Sequence, residues 1–262
     1  MKVVQLGKVI VKATRFLQPE QIEVDSDGIR HDRAFALVEA DDKFIGSSEH
    51  SEFIPLRFTL DDNTDSLTLE MPDGTHVEGP AAGDGRKFDI DHFGLRTINV
   101  AEVEGPWEAA LSDYAGRKIR LVRCLTAQRS IDVFPVTFLT TGSLDRLASE
   151  VGESVDATRF RAGFVLEHDN AHEEDGWDGR HLRVGSVLFR VRTAVPRCQV
   201  TGYNPVNGKS DQAVMKALIK YREKVHLPDG MMPDYATPGF ATYTEVVEPG
   251  VIAVGDAASL VD

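Results

Sequence analysis

The chain is poor in cysteine and tryptophan, with two of each among 262 residues. Cys124 and Cys198 cannot build the disulfide framework of a small secreted domain, and such sparse cysteine fits a reducing cytosol. Neither lies in a C-x-x-C pair, which argues against structural zinc. No apolar run approaches the roughly 20 residues of a membrane helix. The opening MKVVQLGKVIVKATRF scatters basic residues among apolar ones and reads as a strand rather than a signal peptide. Basic charge is short as well: 29 Lys and Arg face 42 Asp and Glu, a net charge of -13. That balance disfavours a generic nucleic-acid binder, and leaves anion binding to a local cluster of cations. G-x-S-x-G, H-E-x-x-H, P-loop and G-x-G-x-x-G motifs are all missing, so the enzymes they mark are unsupported. These absences predict a cytoplasmic protein with neither membrane nor nucleic acid as partner.

What is present is mostly strand. QIEVD, DRAFALVEA, KFIG, LRFTL, SLTLEM, HVEG, KFDID and LRTINV follow VVQLGKVIV at short spacing, separated by DSDG, EADD, DDNTD and MPDG turns. Three helices interrupt the second part: EGPWEAALSDYAG, TTGSLDRLASEVG with Thr141 or Ser143 as cap, and SDQAVMKALIKYREK with Ser210 or Asp211 as cap. RFRAGFVLEH reads as a strand, and LRVGSVLFRVRTAV as a hairpin around Gly185-Ser186. The fold class is therefore mainly β with a few α-helices (α+β). A boundary near residue 100 divides a smaller β-rich unit, 1–100, from 101–262. LPDGMMPDYATPG (227–239) is long enough to be a lid or substrate loop.

Several residues can carry chemistry. Cys198 follows Pro196-Arg197 at a strand end, where site residues are common. Arg197 beside it would favour the thiolate, the form that binds metals or attacks; the local sequence alone still leans to a buried core cysteine. Cys124, inside KIRLVRCL, reads as core. GIRHDR gathers Arg30, His31 and Arg33 around Asp32: a solvated loop, or an anion site with Arg33 as its fork and His31 as an alternative base. FLTTGSL runs from strand to helix through Thr140, Thr141 and Gly142, as phosphate sites do, although ordinary capping explains it equally well. EEDGWDG lacks the order of a calcium loop and reads as a loop packed by Trp177.

Taken in order, FLTTGSLDRL, RFRAGFVLE, EEDGW-x-G-x-x-LRVGSV, PRC and GVIAVGD resemble the MOSC family, named for the molybdenum-cofactor sulfurase C-terminal domain. IVKATRF and DSDGIRHDRAFALVE resemble the β-barrel domain often placed before it. The resemblance implies a β-barrel MOSC domain and a molybdenum cofactor, a pyranopterin whose dithiolene holds the metal; pyridoxal phosphate is not expected. It implies Cys198 as metal ligand and catalytic residue, with Lys12, Arg33, Thr140, Thr141, Arg161 and Arg197 around the cofactor. As in the amidoxime-reducing components, the activity implied is reduction of N-hydroxylated or related oxygenated small molecules, with electrons from a separate donor protein. Two further readings stay open: a sulfur carrier using a Cys198 persulfide, and a pterin- or anion-binding module without turnover. The chain departs from the family pattern at Ala13, where serine is usual, at Arg161-Ala162-Gly163, where an asparagine is missing, and in the acidic, serine-rich GSSEHSEFIPL.

Overall fold

The computed structural model describes residues 1–127, 129–225, 227 and 237–261. Its first strands are β1 (Lys2–Leu6), β2 (Gln21–Asp25), β3 (Gly28–Ile29) and β4 (Phe35–Glu39). Then come β5 (Arg57–Asp61), β6 (Ser66–Glu70), β7 (His76–Pro80), β8 (Lys87–His92), β9 (Arg96–Glu102), α1 (Trp107–Ala115) and β10 (Ile119–Cys124). The rest comprises β11 (Val136–Thr140), α2 (Thr141–Val151), β12 (Phe164–Glu167), β13 (His181–Val184), β14 (Val187–Pro196), α3 (Val214–Tyr221), β15 (Lys224–Val225), β16 (Thr237–Glu248), β17 (Gly250–Ala253) and β18 (Ala258–Val261). The fold is mainly β with three α-helices among the described residues, as the strand-rich patterning predicts.

The main sheet runs β1-β12-β11-β16-β14-β13-β18, with β15 added to β16. Its two ends nearly meet. Lys2 bridges Ala257, and Val3 exchanges hydrogen bonds with Gly255 and Asp256, so the sheet curls into an almost closed barrel. Alternation along its strands sends Phe138, Phe164, Phe189 and Leu182 inward. Phe138 stacks between Phe164, at 5.3 Å, and Trp177, at 6.0 Å. The other unit holds two sheets, β4-β10-β9-β8 and β5-β6-β7, closed by α1. Trp107 on α1 is fully buried beside Phe58 and Leu111. The Pro72-Asp73-Gly74 turn between β6 and β7 works as its composition dictates: Gly74 takes φ 85°, and the Asp73 carboxylate accepts the Thr75 N–H at 2.9 Å.

Pairing places the division differently from the expected boundary at 100. That position falls inside β9, and α1 and β10 belong with the preceding strands. Meanwhile β1 joins the barrel through β12, and β2 and β3 form a separate three-stranded sheet with β17 whose Ile22, Val24 and Ile29 pack into the barrel core, so the N-terminal strands belong with the second unit. These partners lie far apart in sequence, and composition does not mark them.

Other local differences have local causes. RFRAGFVLEH is not one strand: Ala157–Phe160 is a 3-10 helix, capped by Asp156 accepting from Thr158 N at 2.8 Å, and Arg161 takes φ 53° before β12 begins. EEDGW is likewise a 3-10 helix, Glu173–Trp177. The third helix starts only at Val214 and carries no side-chain cap, because Asp211 is engaged by Arg159 and Asn204, each at 2.8 Å. Of the expected lid 227–239, residues 228–236 lie outside the described residues and 237–239 open β16.

Candidate cofactor site

A cleft of about 440 Å³ opens where the two units meet. Lys12, Arg33, Arg161, Arg197 and Cys198 all line it. The fold explains why residues so far apart converge: β14 ends at Pro196 and delivers Arg197 and Cys198, the 3-10 turn after α2 delivers Arg161, and the segments flanking β4 deliver Lys12 and Arg33.

Cys198 precedes the 3-10 helix Gln199–Gly202, and its carbonyl accepts from Thr201 N at 3.3 Å and Oγ1 at 3.0 Å. The residue is exposed into the cleft rather than buried in the core. The surrounding walls still desolvate the thiolate and push the thiol pKa up, against the opposing pull of Val200 N–H and Arg197. Arg197 thus favours the thiolate as expected, but desolvation outweighs it. The Arg197 guanidinium turns inward, donating from Nε to Phe240 O at 2.6 Å and from Nη1 to Phe160 O at 3.1 Å. Its Nη2 is buried without a partner among the described residues. Burial lowers its pKa to about 10.

Arg33 and Arg161 form the second cationic group. Arg33 pairs through Nη1 with the buried Asp32, whose other oxygen accepts Val9 N at 2.7 Å. GIRHDR is thus not a loose loop, and His31 lies outside the cleft, 2.8 Å from Asp62. Arg161 donates to Thr14 O at 2.9 Å, and burial together with the nearby Arg33 lowers its pKa to about 9. Two crowded, poorly solvated guanidiniums favour an anion between or beside them.

Lys12 anchors the opposite wall. Its Nζ donates to Ser130 O at 2.7 Å, contacts the Asp132 carboxylate, and lies 3.2 Å from His92 Nε2. Burial lowers the Lys12 pKa, and Asp132 resists that shift. Asp132 is 45% exposed to the cleft. Burial alone would raise its pKa, but Lys12 and His92 outweigh that and bring it to about 2. His92 is fully buried, and desolvation with the Lys12 charge lowers it to about 3.

His92 therefore stays neutral in the folded protein while an unfolded histidine takes a proton near pH 6.5. Its contribution to stability is complete above that pH and is lost progressively as pH falls toward about 3. His92→Phe is expected to flatten the fall of the urea midpoint between about pH 6.5 and 4. An unchanged slope would exclude His92 as its source.

Thr140 and Thr141 do not line the cleft. Thr140 caps α2, its Oγ1 accepting from Ser143 N at 3.3 Å and lying 3.2 Å from both Glu174 oxygens. Ser143 Oγ donates to the same carboxylate at 2.6 Å, and Thr141 Oγ1 donates to His168 O at 3.2 Å. Glu174 is 1% exposed. The helix start does receive an anion, but an internal carboxylate fills the place expected for phosphate. Cys124 behaves as the core cysteine expected, packing beside Val122 and Val100 with its pKa pushed up to about 11 by burial.

Asp132, His92 and Arg159 belong to the site without any motif announcing them. Asp132 sits in SIDVFP and is placed only by the return of the chain from β10 to β11. Arg159 lines the cleft while bound to Asp211 and to Tyr203 O, both at 2.8 Å. The rim is held from the other unit, where Ser48 O accepts from Gln199 Nε2 at 2.8 Å and Tyr203 Oη at 3.3 Å. No cluster of three or more His, Cys, Asp and Glu able to hold a bare metal ion occurs among the described residues. A single soft thiolate beside several cations suits instead a metal that arrives already held by an anionic group.

The family model for the MOSC domain matches residues 128–259, half of the chain. The chain belongs to the MOSC domain family. Mitochondrial amidoxime reducing component 2 of Bos taurus is 24% identical over 94% of this chain and 79% of its own length. Mitochondrial amidoxime-reducing component 1 of Mus musculus is 23% identical over 98% of this chain and 82% of its own length. Molybdenum cofactor sulfurase of Caenorhabditis briggsae is 23% identical over 87% of this chain, which spans 33% of that protein. This MOSC protein is thus similar over nearly its full length to amidoxime-reducing components, and over 87% of it to a molybdenum cofactor sulfurase. No helix among the described residues is long and apolar enough to cross a membrane.

Proposed function

We propose that this MOSC protein binds the molybdenum cofactor in the cleft and reduces N-hydroxylated or related oxygenated small molecules, with electrons from a separate donor protein. The observation that carries the reading is the convergence of Lys12, Arg33, Arg161, Arg197 and Cys198 on one cavity of about 440 Å³. The buried, unpartnered Nη2 of Arg197 and the crowded Arg33–Arg161 pair fit an anionic group of this kind.

When bound, the cofactor supplies two-electron redox chemistry at a sulfur-held metal. Cys198 would be the protein ligand, a soft donor matched to that metal. Its thiol has a raised pKa, so it holds its proton until the metal displaces it. The same raised pKa lowers the free thiolate fraction, which weighs against the persulfide-carrier reading. Arg33 and Arg161 would take the phosphate through charge-assisted hydrogen bonds, and Arg197 would brace the wall beneath Cys198. Asp132, already ionised beside Lys12, fixes the ammonium against the cleft wall. Phe93, Leu95 and Val195 give the cavity an apolar side that limits water around a bound substrate.

Elemental analysis of protein from cells that make the cofactor tests this reading. Close to one molybdenum per chain is expected for the wild type, and less than about a tenth of that for Cys198→Ala. A metal-free wild type with a trappable persulfide on Cys198 would replace it with the sulfur-carrier function.

A further inference from the structure

A second cavity, of about 370 Å³, shares no lining residue with the cleft. It lies on the same seam between the units, and three cations face it: Lys8, Arg15 and Arg57. Among the described residues Asp156 is the one carboxylate in its wall, and its Oδ1 accepts from Thr158 N and Oγ1, both at 2.8 Å. Arg57 is paired with Glu70 at 3.1 Å.

The other two cations are less satisfied. Arg15 is held by neutral carbonyls, donating from Nη2 to Val206 O at 2.6 Å and Pro55 O at 3.3 Å, and its Nε is buried without a partner among the described residues. Lys8 feels Asp62, Asp32 and Glu23 only at longer range. Among the described residues neither has a carboxylate within 4.0 Å. Burial lowers the pKa of both groups. In a chain of net charge -13, two partly desolvated cations left without close counter-ions mark a place where an anion is stabilised. The facing wall is apolar, built from Phe16, Leu17 and Pro205.

We propose that this cavity is a second ligand site, taking a small organic anion: a carboxylate or phosphate monoester on an apolar body. The anionic end meets Lys8 and Arg15, and the body lies against Phe16 and Pro205. The same segments serve both cavities. Thr158 lines the second cavity and shares a 3-10 turn with Arg159 and Phe160 of the cleft. Thr14, directly before Arg15, accepts from Arg161 of the cleft at 2.9 Å. A ligand here would hold the two segments that present Lys12 and Arg161, which makes the site an effector position.

Calorimetric titration of the full chain with phenyl phosphate, benzoate and inorganic phosphate tests the proposal. One equivalent of phenyl phosphate or benzoate is expected to saturate the protein. Arg15→Gln and Lys8→Gln should each weaken that binding by at least about fivefold, while Lys12→Gln, which removes the ammonium that bonds Ser130, Asp132 and His92 on the cleft side, leaves it within about twofold. Which of the two organic probes binds more tightly separates a phosphate ester from a carboxylate as the ligand. Inorganic phosphate, lacking the apolar body, should bind at least about tenfold more weakly. Should Arg15→Gln fail to fold because it loses its carbonyl anchors, Lys8→Gln carries the test, since the Lys8 side chain anchors nothing. The proposal is overturned by absence of saturable binding of both organic probes, by inorganic phosphate binding as tightly as they do, or by binding that survives Lys8→Gln and is lost in Lys12→Gln. The last outcome would place the anion in the cleft. None of these outcomes depends on molybdenum content, so this site and the proposed cofactor function stand or fall separately.

Discussion

Asp32→Ala is expected to lower the unfolding free energy by about 3–5 kcal/mol, the range for breaking one side of a buried ion pair. Asp32 is 1% exposed, accepts Val9 N at 2.7 Å with one oxygen, and pairs with Arg33 through the other. Without it a backbone N–H is stranded in the interior. Arg33 keeps only a long contact to Arg161 O, at 3.4 Å, and two guanidiniums then face each other without compensation. The same change should cut cofactor retention, because Arg33 loses the carboxylate that orients it. Asp32→Asn, which keeps an acceptor for Val9, is expected to recover part of the stability but not the fixed orientation of Arg33. Urea unfolding of the three proteins reads the effect. A loss below about 1 kcal/mol in Asp32→Ala would show that water replaces the carboxylate.

Phe138→Ala is the second large effect, expected to cost about 3–5 kcal/mol. The ring is fully buried and stacked at 4° to Phe164 and 14° to Trp177. Its removal opens a hole in the centre of the barrel, where the strands on either side are pinned by pairing and cannot collapse inward. The cleft is built by the ends of those strands, so lost barrel rigidity should also appear as weaker retention of bound ligand. Ile219→Ala, on the outer face of α3 and 66% exposed, is the control and should change stability by less than about 0.5 kcal/mol. Equal losses in the two variants would show that the aromatic stack is not the centre of stability.

Some of this was legible in the amino-acid sequence. Strand-rich patterning foretells the fold class, because alternation records one buried face per strand. The order of short segments, ending in PRC, brings Cys198, Arg33 and Arg161 into one hypothesis, and the structure brings them to one cleft. What stayed hidden depends on distant partners. Thr140 and Thr141 look like a phosphate turn until Glu174, more than thirty residues on, is seen filling it. Arg197 does pull on its neighbour's thiol, but the walls that desolvate Cys198 and outweigh that pull come from distant segments, as do the Phe160 and Phe240 carbonyls that hold the guanidinium. The boundary at 100 fails for the same reason, since β1 and β2 answer to strands at the far end of the chain. Asp132 and His92 gain meaning only from each other and from Lys12.

The N-terminal strands have a mechanical consequence. Val3 and Leu6 belong to the barrel core, Ile10 and Val11 to the other unit, Ile22 to Ile29 to the barrel again, and Phe35 onward to the other unit until the chain returns after Cys124. The polypeptide therefore crosses the seam four times. Lys8, Asp32, Arg33, Ser130 and Asp132 all ride on these crossings. Four covalent tethers leave no single linker about which the halves can swing apart, so exchange of one half between two molecules would require unthreading several strands at once. The polar groups of both cavities come together only where the two cores meet, so neither half carries either site by itself.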